Sequence, residues 1–154
     1  MTNCQRRHNQ RGQALRDKLL DVMWEDVGVM RDADGLQRGL QRIDEIDDAL
    51  SSTGVAADNL AFNLSWHDWL NLRSLVDMSR VIAQSALSRE NSRGAHFRED
   101  HPDAGAMQDS YFTLATGSDK NISVARAPVQ FTIVKPGETL LGADEAETLV
   151  GAAE

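Results

Sequence analysis

A single cysteine, Cys4, stands in 154 residues. No internal disulfide can therefore brace the fold, and no set of thiolates is on hand for a metal. No run of about 18 apolar residues occurs, which excludes a membrane-spanning helix. The N-terminal MTNCQRRHNQRGQ has no apolar h-region, so it does not read as a secretory signal, and a cytoplasmic location is expected. Positive charge is short: the net charge is -8 and the pI about 4.9. Such a balance argues against nucleic acid and against an anionic membrane as partners. Arg6, Arg7 and Arg11 form only a small basic cluster near one end. Lysine is missing altogether from Leu19 to Asp119, where the cations are all Arg and His. No Gly-x-Gly-x-x-Gly follows a strand-like run, so no dinucleotide-binding unit is present, and no Ser–His–Asp signature occurs. There is no internal repeat.

What is present is an ordinary globular composition, 41% hydrophobic and 26% charged, of a length that suits one domain with a real core. Residues 1–12 are polar and expected to be disordered. Apolar residues then recur at helical spacing in three stretches. The first spans 13–31, with Leu15, Leu19, Val22, Met23, Val27 and Met30 inward and Trp24 at the edge of the stripe. Gly28 inside it points to a close helix–helix approach. The second spans 35–52, with Leu36, Leu40, Ile43, Ile46 and Leu50 inward, and Asp34 with Gln37 as a capping box. Its other face, with Arg38, Arg42, Asp44, Glu45, Asp47 and Asp48, reads as solvated. The third spans 65–93, with Trp69, Leu72, Leu75, Val76, Ile82, Ala83 and Ala86 inward. Ser65 and Asp68 are placed to cap its start, and Gly94 to take the left-handed conformation just past its end. A short turn at Asp58–Asn59 lies in the connection between the second and third.

Short connections favour antiparallel neighbours, so 13–103 is expected to form an antiparallel three-helix bundle of the spectrin-repeat kind. After Pro102 the texture changes. Tyr111–Ala115 and Ile122–Arg126 are strand-like runs around the turn chemistry of 116–121, which predicts a β-hairpin within a 104–137 extension. Val129–Val134 is a third strand candidate. Residues 138–154 are acidic, contain no Lys or Arg, and read as a tail.

The most informative stretch closes the third helix: Arg89, Ser92, Arg93, His96, Arg98, Glu99, Asp100 and His101, ending at Pro102. A helix macrodipole accounts for arginines in a last turn, but not for the mixed charges that follow. The segment Ser88-Arg89-Glu90-Asn91-Ser92-Arg93-Gly94-Ala95-His96-Phe97-Arg98-Glu99-Asp100-His101-Pro102 resembles the motif that closes the long helix in the C-terminal helical domain of succinate dehydrogenase and fumarate reductase flavoprotein subunits. L-Aspartate oxidase carries a related form. Met23–Arg31 resembles the family's first helix, and Phe62–Asn63 the entry to its third. Asn91, where the family usually has Glu, and Ser74, where Asn is common, depart from the pattern. The resemblance runs from about Leu15 to about Val129.

Two readings of the charged cluster stand side by side. Arg89 and Arg93, four residues apart, would share a helix face, with Arg98 within reach, and guanidinium forks suit carboxylates and phosphates. The cluster then binds an acidic substrate or a partner surface. Alternatively it ties the helix end to Glu99, Asp100 and the carbonyls of the hairpin, and the resemblance favours this structural or interface role. His96 and His101, five apart with no second ligand pair, do not make a metal site, and His67 reads as a boundary residue. The Met and Trp residues at helical spacing read as core.

The resemblance implies a domain of an FAD-dependent dicarboxylate oxidoreductase. Its FAD and its catalytic residues would lie in a preceding flavin domain, so no catalytic, cofactor or metal residue is expected in this chain. Its partners would be that flavin domain and, for the isolated chain, a second copy in a homodimer held near the arginine cluster. The alternative is a free-standing helical interaction module that keeps the fold without the enzyme.

Overall fold

The computed structural model describes the backbone of residues 3–55, 61–118 and 120–139, and within these the side chains from Gln10 onward. Three helices carry the fold: α1 (Asn3–Glu25), α2 (Ala33–Thr53) and α3 (Leu64–Ser88). Both outer helices pack on α2. β1 (Met30–Arg31) lies between α1 and α2, while β2 (Phe97–Arg98) and a 3-10 turn at Met107–Asp109 come after α3. A hairpin of β3 (Tyr111–Ser118) and β4 (Asn121–Pro128) follows and leans on α3. The three-helix bundle and the hairpin are the architecture that the apolar stripes and turn residues predict.

The core is built from those stripes. Leu19, Val22 and Val27 meet Leu36, Ile43, Ile46 and Leu50, and Leu72, Val76, Ala83 and Ala86 close the third side. Leu15, Met23, Leu40 and Trp69 pack against its edge. The two helices α1 and α2 cross closely at Gly39, where an added Cβ would lie 3.0 Å from Asp26 Cβ and 3.1 Å from Val27 Cγ2. Gly28 is not the close-approach glycine. It sits past the end of α1, where a Cβ would meet the Trp24 carbonyl oxygen at 2.6 Å.

The ends of the helices differ from the expected ones, each for a local reason. The first begins ten residues earlier, at Asn3, so the polar segment taken for disorder is helical from there. It also stops at Glu25 rather than 31, since Arg31 turns back and its guanidinium donates to the carbonyls of Val27 and Gly28. Met30, taken as inward, is exposed in β1. Helix α2 is capped by Asp32, whose carboxylate accepts from Gly35 N at 2.6 Å, and Asp34 falls in its first turn. Helix α3 is capped by Asn63, which accepts from Trp66 N at 3.1 Å, not by Ser65. It ends at Ser88, five residues before the expected end. Gly94 does take a positive φ of 58°, but in a tight turn where Arg93 and His96 exchange backbone bonds of 2.9 and 3.1 Å. Leu75 and Ile82 face outward rather than into the core. Residues 129–134 form no strand; Val129 N donates to Ser110 O at 2.9 Å beside the hairpin base. The turn expected at Asp58–Asn59 and residues 140–154 of the acidic tail lie outside the described residues.

In the hairpin, Tyr111 pairs with Pro128 and Ser118 with Asn121 in an unbroken antiparallel register. Tyr111, Thr113 and Ala115 share the half-buried face, while Phe112 and Leu114 are exposed on the other. An isolated two-stranded ribbon is marginal in water, and this one gains its support from α3.

Candidate functional site: the charged junction after the third helix

The chain leaving α3 folds back so that β2 pairs in parallel with β1, Met30 opposite Phe97 and Arg31 opposite Arg98. This places the end of α1, the start of α2 and the end of α3 around one side chain, Arg98, which is 1% exposed. Its Nη1 donates to the carbonyls of Ala86, Leu87 and Arg89, all at 3.1 Å. Those oxygens belong to the last turn and cap of α3, where a helix has no internal donors left. Nε and Nη2 grip Asp100 at 2.7 and 2.6 Å in a two-point fork. Asp100 in turn accepts from Ala33 N at 3.0 Å, in the first turn of α2. One ion pair therefore satisfies the end of one helix and the start of another.

The neighbouring groups are engaged in the same way. Ser92 Oγ accepts from Arg98 N at 2.8 Å and donates to His101 O at 2.8 Å. Arg93 is not on a helix face beside Arg89; its guanidinium donates to Ala104 O, to Ala106 O at 2.6 Å and to Ser110 Oγ at 2.8 Å, holding the loop that leads to the hairpin. Arg89 and Arg126 both stack on the Tyr111 ring, at 5.0 and 4.9 Å from its centroid. Glu99 contributes its backbone N–H, which donates to Arg31 O at 2.7 Å, and its side chain is exposed.

His96 Nδ1 lies 2.8 Å from Arg31 Nη1. A guanidinium only donates, so Nδ1 accepts and the ring is neutral with its proton on Nε2. Burial, and then the charge of Arg31, hold the His96 pKa below its ordinary value. The hydrogen bonds from Arg98 hold Asp100 well below the usual carboxylate range. The sign for His96 follows: a depressed pKa gives stability that is complete above about pH 6.5 and lost as pH falls through the folded value. We expect thermal melts to show stability declining from pH 7.5 to 5, with a shallower decline in His96→Gln. An identical slope in that variant would show that His96 is not the titrating group.

Reading from sequence missed the other buried charges. Arg80, 2% exposed, donates to Asp47 Oδ2 at 2.8 Å and Asp44 Oδ1 at 2.9 Å, tying α3 to α2. Asp26, buried at the end of α1, takes Arg38 at 2.9 Å and Arg42 at 2.6 Å. The signal was there: Arg80 stands four residues after Val76 and three before Ala83, inside the apolar stripe. Among the described residues no group of three or more His, Cys, Asp or Glu side chains could hold a metal ion. No described helix is long and apolar enough to cross a membrane.

Residues 16–140 match the family model described as fumarate reductase flavoprotein C-term. The chain belongs to that family. The family's C-terminal domain is shared by fumarate reductase and succinate dehydrogenase flavoproteins and by L-aspartate oxidase, as its relatives show. The fumarate reductase flavoprotein subunit of Mycobacterium tuberculosis (strain H37Rv) is 30% identical over 88% of this chain and 24% of its own length. L-Aspartate oxidase 1 of Ralstonia nicotianae is 42% identical over 56% of this chain and 15% of its own. In structure, the Mycobacterium smegmatis Sdh1 complex superposes with a TM-score of 0.66 at 24% identity, over 90% of this chain and 24% of that one. The chain thus spans a quarter or less of the length of these relatives.

The residues here do not fit FAD, the cofactor named for one relative, an FAD-dependent oxidoreductase of Methanocaldococcus jannaschii. The described strand-to-helix passage most like a phosphate cradle is β1 into α2. There the first-turn N–H groups of Ala33 and Gly35 already serve Asp100 and Asp32, with Asp34 beside them. Three carboxylates at a helix N-terminus repel a pyrophosphate rather than bind it.

Proposed function

We propose that this chain is the C-terminal helical domain of an FAD-dependent flavoprotein of the succinate dehydrogenase and fumarate reductase type. It acts as a structural and interface domain beside the flavin domain and has no catalytic machinery of its own. The observation that carries this reading is the engagement of Arg98, Arg93 and Ser92. Each meets backbone carbonyls or a neighbouring side chain of this same chain, so all three are taken up in holding the junction together. Asp100 and His96, two groups of the right type for acid–base work, are held in structural bonds to Arg98 and Arg31. The oxidoreductase chemistry, FAD and the dicarboxylate then belong to the flavin-binding part of the complete enzyme.

Two measurements test it. The purified chain should be colourless and should neither reduce fumarate nor oxidise succinate or aspartate with any electron carrier; a stoichiometric yellow flavin on the chain alone overturns the reading. Supplied to a family flavoprotein from which the matching region has been removed, the chain should form a complex with it, and no binding would remove the interface role.

A further inference from the structure

The charged junction closes one end of the bundle. At the opposite end the first half of α1, the end of α2 and the start of α3 surround a cavity of about 420 Å³. Helix α2 stops there because Gly54 follows it at a φ of 61°, outside the helical region. The volume lies at the small end of the roughly 300–1,000 Å³ of ligand pockets, which suits a molecule of amino-acid size.

The lining has an apolar part and two opposite charges. Leu50 and Leu72 belong to the core and also line the cavity. Trp69 lines it beside them, and its Nε1 donates to Leu50 O at 3.3 Å. That bond uses the one polar atom of the indole, so the ring offers a ligand apolar surface. Arg16 comes to the same cavity from α1 and Asp68 from α3. Both side chains are exposed, and neither makes an ion pair or a hydrogen bond among the described residues. The buried carboxylates elsewhere in the bundle are different: Asp26, Asp47 and Asp100 each have an arginine. The end of α2 adds to the negative side. No basic residue stands in its last turn, so the partial negative charge of that helix end is not offset from within the helix.

We propose that this cavity binds a small zwitterion with an apolar body, of the class of a free aromatic α-amino acid. The body rests among Leu50, Trp69 and Leu72, where an aromatic side chain gains a ring partner as well as burial. The ammonium turns to Asp68 and the end of α2, and the carboxylate to Arg16. A ligand with a single charge leaves one of the two side chains unmatched. A dicarboxylate is a poorer fit, because Arg16 is the one cation among the described lining residues. The proposal rests on the cavity and not on the flavoprotein reading.

Isothermal titration calorimetry of the full chain at neutral pH tests it, with L-phenylalanine as the probe. One molecule should bind per chain, with a dissociation constant of about 1 mM or below. 2-Phenylethylamine, which lacks the carboxylate, and 3-phenylpropionate, which lacks the ammonium, should each bind about tenfold more weakly or worse, as should L-aspartate. Arg16→Gln should weaken L-phenylalanine by a similar factor and leave 2-phenylethylamine unchanged. Asp68→Asn should weaken L-phenylalanine likewise and leave 3-phenylpropionate unchanged. Circular dichroism and melting temperature should not move in either variant, since both side chains are exposed and unpaired. Three results would each overturn the proposal. One is no saturable binding of L-phenylalanine up to about 20 mM. Another is a singly charged analogue that binds as tightly as L-phenylalanine. The third is unchanged L-phenylalanine binding in both charge variants.

Discussion

Replacing Arg98 with Ala should destabilise the chain by about 3–5 kcal/mol, a large part of the roughly 5–15 kcal/mol that holds a domain together. The size follows from what the guanidinium does. It is 1% exposed and serves three carbonyl oxygens at the end of α3 and both oxygens of Asp100. Its removal leaves those acceptors in a site that water enters poorly, where an unmet buried group costs about 1–3 kcal/mol. It also leaves Asp100 without the partner that holds its carboxyl below the usual range. Arg98→Lys should recover only a small part of the loss, since one ammonium cannot fork onto a carboxylate and reach three carbonyls at once. Asp100→Ala should cost less than Arg98→Ala, because the three carbonyl bonds survive, and the double variant should be far from additive. Urea unfolding followed by circular dichroism checks all four chains. A loss under about 1 kcal/mol for Arg98→Ala would mean that the junction is ornamental to folding.

That junction also explains which parts of the fold were legible in the sequence. The cores of the helices were, because Leu36, Ile43, Ile46 and Leu50 repeat at a spacing set by the helix itself. The end of α3 was not, because the group that takes up its carbonyls comes from farther along the chain. The end of α3 was read from Gly94, the nearest residue able to take a left-handed conformation. Arg98 instead takes the carbonyls of Ala86, Leu87 and Arg89, and the helix stops at Ser88. The same is true where Asp100 supports the start of α2. None of these pairings has a local signature.

The candidate site was legible as a list of residues and not as an arrangement. Arg89 and Arg93 were placed on one helix face, yet the chain has left the helix there. Arg89 stacks on Tyr111, while Arg93 reaches Ala104, Ala106 and Ser110. His96 was grouped with the cluster, but its partner Arg31 lies 65 residues away in sequence. The outward turn of Leu75 and Ile82 was hidden for another reason. Seven-residue spacing fits a core stripe and a second, outer stripe equally well, and α3 carries both.

Arg80 gives the second large effect. It sits in the apolar stripe of α3, 2% exposed, bonded to Asp47 and Asp44 of α2 and to Asp77 on its own helix. Asp47 is itself 3% exposed. Arg80→Ala strips one of the two arginines that neutralise Asp47, leaving Arg73 at 3.1 Å, and opens a space between Val76 and Ala83. The expected loss is about 3–5 kcal/mol, the range for breaking a buried pair by removing one partner. Salt should change it little, because buried charges are poorly screened. The exposed pair of Lys120 with Asp48 should contribute below about 1 kcal/mol and fade with salt. Removing both sides together should behave differently. Arg80→Met with Asp47→Leu exchanges two desolvated charges for packing, and such exchanges are often neutral or stabilising. We therefore expect the double variant to unfold at a higher urea concentration than Arg80→Ala alone. If instead it is the weaker of the two, the pair contributes net stability beyond offsetting its own burial, and apolar packing between α2 and α3 is not enough to replace it.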